Sequence, residues 1–257
     1  MRVIRFAAGD RAVYGLVEDD VVRRVDGSPF EMLTPGERVG RLDQVQLLAP
    51  CQPTKIVAIG RNYVEHAKEH QAEVPPEPLI FLKPPSAVIA HGQAIVLPPQ
   101  SKQVEHEGEL AVVIGARAKN VSEANAWAHV LGVTCANDVT ARDLQRSDGQ
   151  WSRAKGFDTF CPLGPWIRIG MAPEQTGALS VVCRVNGQVR QSGNTRDMVF
   201  GIPRLIAHIS AAMTLEPGDV ILTGTPAGVG PLREGDVVEV EIESIGVLRN
   251  TVRASAL

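Results

Sequence analysis

Two carboxylates, Glu107 and Glu109, stand two residues apart at the head of an apolar run inside residues 104–115, VEHEGELAVVIG. On a strand, residues i and i+2 face the same side, about 7 Å apart along the chain, so both carboxylates lean toward one point. Two like charges on one face call for a counter-ion. A hard divalent cation, Mg²⁺ or Mn²⁺, takes oxygen ligands from one to three carboxylates and keeps positions open for water or substrate. An exposed strand edge studded with acids is the alternative that this stretch alone leaves open.

A second apolar run, residues 130–135, leads into Asp138 within residues 136–146, ANDVTARDLQR. Ser122 reads as the N-cap of a short intervening helix, giving strand, helix, strand and returning Asp138 beside the first strand. Glu107, Glu109 and Asp138 then share one site. Upstream, a strand over 55–59 runs into Gly60-Arg61-Asn62-Tyr63 and a short helix over 64–71, on which His66 and Glu69 are three apart. At that spacing the carboxylate can orient the imidazole and raise its basicity as a general base, although a solvated helix carries such a pair equally well. With little apolar surface and glycine and proline on its flanks, this segment is expected to be a mobile lid over the pocket.

Downstream, Lys155 falls in a glycine-containing stretch, 151–159, expected to be an adaptable loop. Arg142 can stabilise a substrate anion or pair with Asp138 or Asp143. Residues 198–214 carry apolar residues, Val199 among them, at helical spacing and read as a core helix. Asn186-Gly187 marks a hairpin. The loop 223–230, TGTPAGVG, follows a strand but lacks the lysine and the following helix of a nucleotide-binding loop.

Four motifs occur in family order: G-R-N-Y-x-x-H-x-x-E from Gly60, E-x-E from Glu107, N-D-x-x-A-R-D-x-Q from Asn137, and T-G-T-P-A-G-V-G from Thr223. Together they resemble the fumarylacetoacetate hydrolase family over residues 55–243. The resemblance implies a mixed, β-dominated fold, a rolled β-sandwich with few short helices, preceded by a small N-terminal β subdomain. The boundary falls near Ala49, dividing 1–49 from 50–257. It further implies His66, Glu69 and Lys155 as catalytic residues, Arg61, Arg142, Gln145 and Thr225 as substrate-binding residues, and commonly a homodimer. Lys83 matches the lysine of an F-x-K-P element. Family members specialised for fumarylacetoacetate are longer and carry a further upstream acid that has no match here.

The activity so implied is that of an Mg²⁺- or Mn²⁺-dependent enzyme acting on a small-molecule 2-oxo acid through an enolate. Hydrolysis of an acylpyruvate-type C–C bond or decarboxylation of oxaloacetate leads, with isomerisation or decarboxylation of 2-hydroxymuconate-derived diacids, or a non-catalytic 2-oxo acid binder, as alternatives. Composition excludes other classes. A net charge of −3 gives no basic footprint for nucleic acid or anionic membrane. An aromatic content of 4% is poor in the stacking platforms of a glycan groove. No run reaches the roughly 20 apolar residues needed to span a bilayer, and the N-terminus lacks a signal peptide, so a cytoplasmic location is expected. The scattered Cys51, Cys135, Cys161 and Cys183 read as reduced, mostly buried thiols, without zinc spacing.

Overall fold

The structure is a computed structural model that describes residues 1–31 and 33–255, apart from the side chain of Asp26. Among these residues the largest sheet has twelve strands, and a five-stranded and a three-stranded sheet complete the β-dominated fold. The run after Glu109 forms the strand Gly108–Ile114, which pairs antiparallel with Val130–Asn137 and with Val220–Leu222. Leu110, Val112 and Ile114 enter one apolar core with Val181, Cys183, Val240 and Leu248 of the five-stranded sheet. Ala111 and Val113 face the opposite way, among Val3, Leu16, Cys51 and Ile56. The strand is continuously apolar because both of its faces are buried. At its head the two sheets meet closely: a Cβ on Gly108 would lie 3.2 Å from Cys183 Cβ.

The N-terminal strands Arg2–Ala8, Arg11–Glu18 and Val21–Asp26 form an antiparallel meander. A fourth, Thr34–Arg41, joins them although it carries Pro35, Gly36, Gly40 and three charged residues. It lies at the sheet edge, mostly exposed, where weak strand formers are tolerated. Arg2–Ala8 also pairs with Cys161–Ile169, so the meander continues into the large sheet.

Three local expectations change. The helix expected over 198–214 is Ile202–Ala212. Pro203 suits a helix start, while the N–H groups of Val199 and Phe200 are claimed by Asn62, leaving Val199 exposed. Lys155 sits on a short helix, Ser152–Gly156, rather than in a loop. Ser122 does occupy the N-cap of Glu123–Ala126, but its side chain makes no capping hydrogen bond. The Asn186-Gly187 hairpin forms as expected, with both residues at positive φ. All four cysteines are free and buried. No helix among the described residues is long and apolar enough to cross a membrane, which leaves β-barrel spanning unaddressed.

Candidate active site

The strands Ile56–Gly60 and Val220–Leu222 run parallel side by side, and each releases a site loop at its C-terminal end. From the first comes Arg61, at φ 58°, then Asn62 and the helix Val64–Glu69. From the second comes the glycine-rich loop. Asn62 joins them: its amide donates to the Thr223 carbonyl at 2.8 Å and the Phe200 carbonyl at 3.0 Å, and its oxygen accepts from the Phe200 N–H at 2.8 Å. The helix is docked rather than a loose lid, because Tyr63 and Ala67 bury apolar surface that the sequence reading undervalued.

These loops and the head of Gly108–Ile114 enclose a cavity of ≈ 220 Å³. Of the residues given a catalytic, substrate-binding or metal role from the sequence, all but Glu69 line it: Arg61, His66, Glu107, Glu109, Asp138, Arg142, Gln145, Lys155 and Thr225. Its size is below the roughly 300–1,000 Å³ of drug-sized sites and suits a compact acid.

Glu107, Glu109 and Asp138 are buried, and one oxygen from each lies within 4.8 Å of the other two. Glu107 interrupts the strand: Asn137 Oδ1 accepts its N–H, and its carbonyl accepts the N–H of Asp138. Lys155 Nζ bridges Glu107 Oε2 at 2.7 Å and Asp138 Oδ2 at 2.6 Å. Lys83 Nζ holds the other oxygen of Asp138 at 2.6 Å and does not line the cavity. Arg142 pairs with Glu107 and, at 2.7 Å, with Glu105, and also binds Gln145. Its partners are therefore Glu105 and Glu107, not Asp138 or Asp143. Glu105, so engaged, is separate from the carboxylate trio.

Electrostatics divide the acids. Burial opposes ionisation of Glu107, but Lys155 and Arg142 outweigh it and hold the carboxyl well below its usual range. Glu109 has no ion pair among the described residues and accepts the Gly224 N–H at 2.8 Å; burial, then the charges of Asp138 and Glu107, push it well above its usual value. Burial disfavours charge on Lys155, yet Asp138 and Glu107 keep it protonated. This arrangement fits a divalent cation: three hard oxygen donors converge, and one is left without a counter-charge.

His66 is nearly buried, with Nδ1 3.4 Å from Glu69 Oε2, and Glu69 in turn accepts the Gly228 N–H at 3.1 Å. Burial first, then Arg142 and Lys155, lower the imidazole below its ordinary value despite Glu107, so it is neutral near pH 7. The Thr225 hydroxyl, expected to aim at substrate, donates to the Gly108 carbonyl at 2.8 Å and accepts from Gln191 Nε2 at 2.7 Å. Gln191 also donates to the Pro226 carbonyl, while its oxygen accepts the Gly108 N–H at 2.9 Å and pairs with His106 Nδ1 at 3.0 Å. Sequence reasoning missed Gln191, Glu105 and His70. The asparagine of G-R-N-Y was the one available sign that Asn62 mattered.

A family model described as fumarylacetoacetate (FAA) hydrolase, C-terminal, matches residues 55–253, and one described as Rv2993c-like, N-terminal, matches residues 1–50. The human mitochondrial oxaloacetate tautomerase FAHD2A is 49% identical over 219 residues, covering 81% of this chain and 70% of that protein. The crystal structure of a 5-carboxymethyl-2-hydroxymuconate delta-isomerase from Mycobacterium smegmatis is 45% identical with a TM-score of 0.92, covering 99% of this chain and 100% of that one. A maleylpyruvate hydrolase from Sphingobium sp. SYK-6, solved with manganese (II) ion and pyruvate, is 33% identical with a TM-score of 0.82 and full coverage of both chains, each 100%. On the length and depth of these matches, the chain belongs to the fumarylacetoacetate hydrolase family.

Proposed function

We propose that this chain is a divalent-cation-dependent enzyme that interconverts the enol and keto forms of a small 2-oxo dicarboxylate of the oxaloacetate type. One observation carries this reading: a neutral, carboxylate-oriented His66 shares a small cavity with three clustered carboxylates and a buried lysine. Mg²⁺ or Mn²⁺, held by Glu107, Glu109 and Asp138, would polarise the 2-oxo group and offset enolate charge.

The protein's own groups supply the rest. Glu69 accepts from Nδ1–H and so leaves Nε2 as the basic nitrogen of His66. Nε2 takes a proton from C3, the C–H electron pair becomes the C2=C3 bond as the carbonyl π pair moves to the 2-oxo oxygen, and return of the proton to that oxygen completes the enol. Run backwards, the same steps give the keto form. Lys155, buried and kept cationic, stabilises the developing charge. Arg61 stands over the Trp151 ring, 6.0 Å from its centroid, and supplies a cation for the second carboxylate. Gln145, bound to Arg142, adds a polar contact for substrate oxygen.

Hydrolysis of an acylpyruvate C–C bond is the second reading, favoured by the likeness to the maleylpyruvate hydrolase. His66 would then take its proton from water. The test follows the ultraviolet absorbance of enol-oxaloacetate with chelator and with added Mg²⁺, beside acylpyruvate cleavage and oxaloacetate decarboxylation. Cation-dependent ketonisation as the fastest of the three supports the first reading. Acylpyruvate cleavage without accelerated ketonisation replaces it with the second, and no turnover in any assay overturns both.

A further inference from the structure

Beside the carboxylate trio stands a second group of metal-ligating side chains with different donor chemistry. His66, Glu69 and His70 occupy positions i, i+3 and i+4 at the end of the helix Val64–Glu69. One ligand atom from each lies within 4.8 Å of the other two. The two imidazole rings are edge-to-face, their centroids 4.8 Å apart. Two imidazoles bound to one tetrahedral zinc, each nitrogen about 2.0–2.1 Å from the ion, place their centroids about 5 Å apart. The pair is thus already near that spacing.

Two further observations point to a ligand. His70 Nε2 is buried with no hydrogen-bond partner among the described residues, and His70 lines the same cavity as His66. The Glu69 carboxylate is steadied by the Gly228 N–H, at 3.1 and 3.3 Å from its two oxygens, and so is positioned before an ion arrives. The proton-transfer scheme above uses His66 and Glu69 and leaves His70 without a task.

We propose that His66, Glu69 and His70 form a second metal site, selective for a borderline ion of the Zn²⁺ type, whose occupancy switches the enzyme off. Two imidazoles and one carboxylate favour zinc over magnesium, whereas the all-oxygen trio favours magnesium or manganese. The cavity leaves room for water or substrate on an ion so bound. A cation shared with Glu69 takes Nδ1 of His66, the nitrogen that faces that carboxylate, and so leaves the ring's proton on Nε2, which then has no lone pair to accept the substrate proton. That inhibitory consequence rests on the function proposed above; the binding site itself does not. Hard and borderline ions then have opposite effects on one active site.

The test uses the full chain saturated with Mg²⁺, with Zn²⁺ as titrant in calorimetry and Co²⁺ as its visible-absorption probe. One zinc per chain is expected, with nitrogen donors in X-ray absorption. In His70→Gln its affinity falls by at least about 100-fold, since even loss of an outer partner costs 10- to 100-fold. Glu109→Gln, which impairs the oxygen site, retains it. His70→Asn serves as the second variant should the first fold poorly. Zinc affinity unchanged in both His70 variants, zinc lost in Glu109→Gln, or an all-oxygen zinc environment overturns the site. Zinc that binds through the imidazoles without slowing turnover overturns the switch alone. Binding by a protein that turns over none of the tested substrates leaves the site standing and removes the proposed function.

Discussion

Replacing Lys155 by methionine keeps the length of the side chain and removes the ammonium that bridges Glu107 and Asp138 at 2.7 and 2.6 Å. Both carboxylates are almost wholly buried, so solvent cannot take the ammonium's place. Removing one partner of a buried ion pair destabilises by about 3–5 kcal/mol. For a chain of this size that is a fall in Tm of roughly 6–20 °C. The same carboxylates are assigned here to a divalent cation, so the ammonium and the cation compete for one patch of negative charge. Lys155→Met should therefore bind Mg²⁺ or Mn²⁺ more tightly than the wild type, even as catalysis fails. A cation at about 1,000 times its Kd adds about 4 kcal/mol of stability. Saturating cation should then close much of the gap in Tm that chelator reveals. Scanning calorimetry of both proteins, with chelator and across a cation titration, reads this directly. An equal cation-induced rise in Tm for the two proteins would refute the shared-charge argument. In the activity assay the variant should lose about 10²- to 10³-fold in kcat with little change in KM.

Glu109 supplies a pH prediction with a definite sign. Its folded pKa is raised, so the folded protein holds a proton that the unfolded chain releases, and stability falls as pH rises above the usual carboxylate range. In chelator, Glu109→Gln should raise Tm at neutral pH and flatten that decline, while equilibrium dialysis shows loss of the cation; a lower neutral Tm would sink the assignment. Glu107 acts oppositely, its lowered pKa contributing stability that is present above the usual carboxylate range and lost as pH falls through it, so acid unfolding of Glu107→Gln should be less steep. His66→Ala should cut ketonisation and acylpyruvate cleavage by about 10²- to 10⁴-fold while sparing part of any oxaloacetate decarboxylation; equal loss of all three would remove the proton-transfer role. Gly228→Ala would place a Cβ 2.1 Å from the Arg190 carbonyl at φ 101° and displace the N–H that holds Glu69. Its kcat should fall toward that of Glu69→Gln, as steady-state kinetics of the two would show.

The carboxylate trio was legible because strand parity is local: Glu107 and Glu109 are two apart, and antiparallel pairing of the two apolar runs brings Asp138 to the same end. The apolar run after Glu109 also fixed the frame, leaving Glu105 to pair with Arg142. Local reading failed where a distant residue claims backbone groups. Residues 198–201 have helical periodicity, yet Asn62, 138 positions from Phe200, takes the N–H groups of Val199 and Phe200 and delays the helix. Gln191 was equally opaque, since its partners Gly108 and Thr225 lie 83 and 34 positions away. The docked helix was misread because Tyr63 and Ala67, two modest apolar residues, carry its burial.

The orientation of the Gln191 amide settles what Thr225 can say to a ligand. With Gln191 Oε1 receiving the Gly108 N–H, its amino group must point at Thr225, and the threonine's only proton goes to the Gly108 carbonyl. A hydroxyl has one hydrogen and two lone pairs, so a single lone pair remains. A substrate oxygen that reaches this hydroxyl therefore has to bring its own proton, because the side chain has none left to give. The main chain of Gly108 thus decides, through one side-chain amide, that Thr225 is left to act as an acceptor.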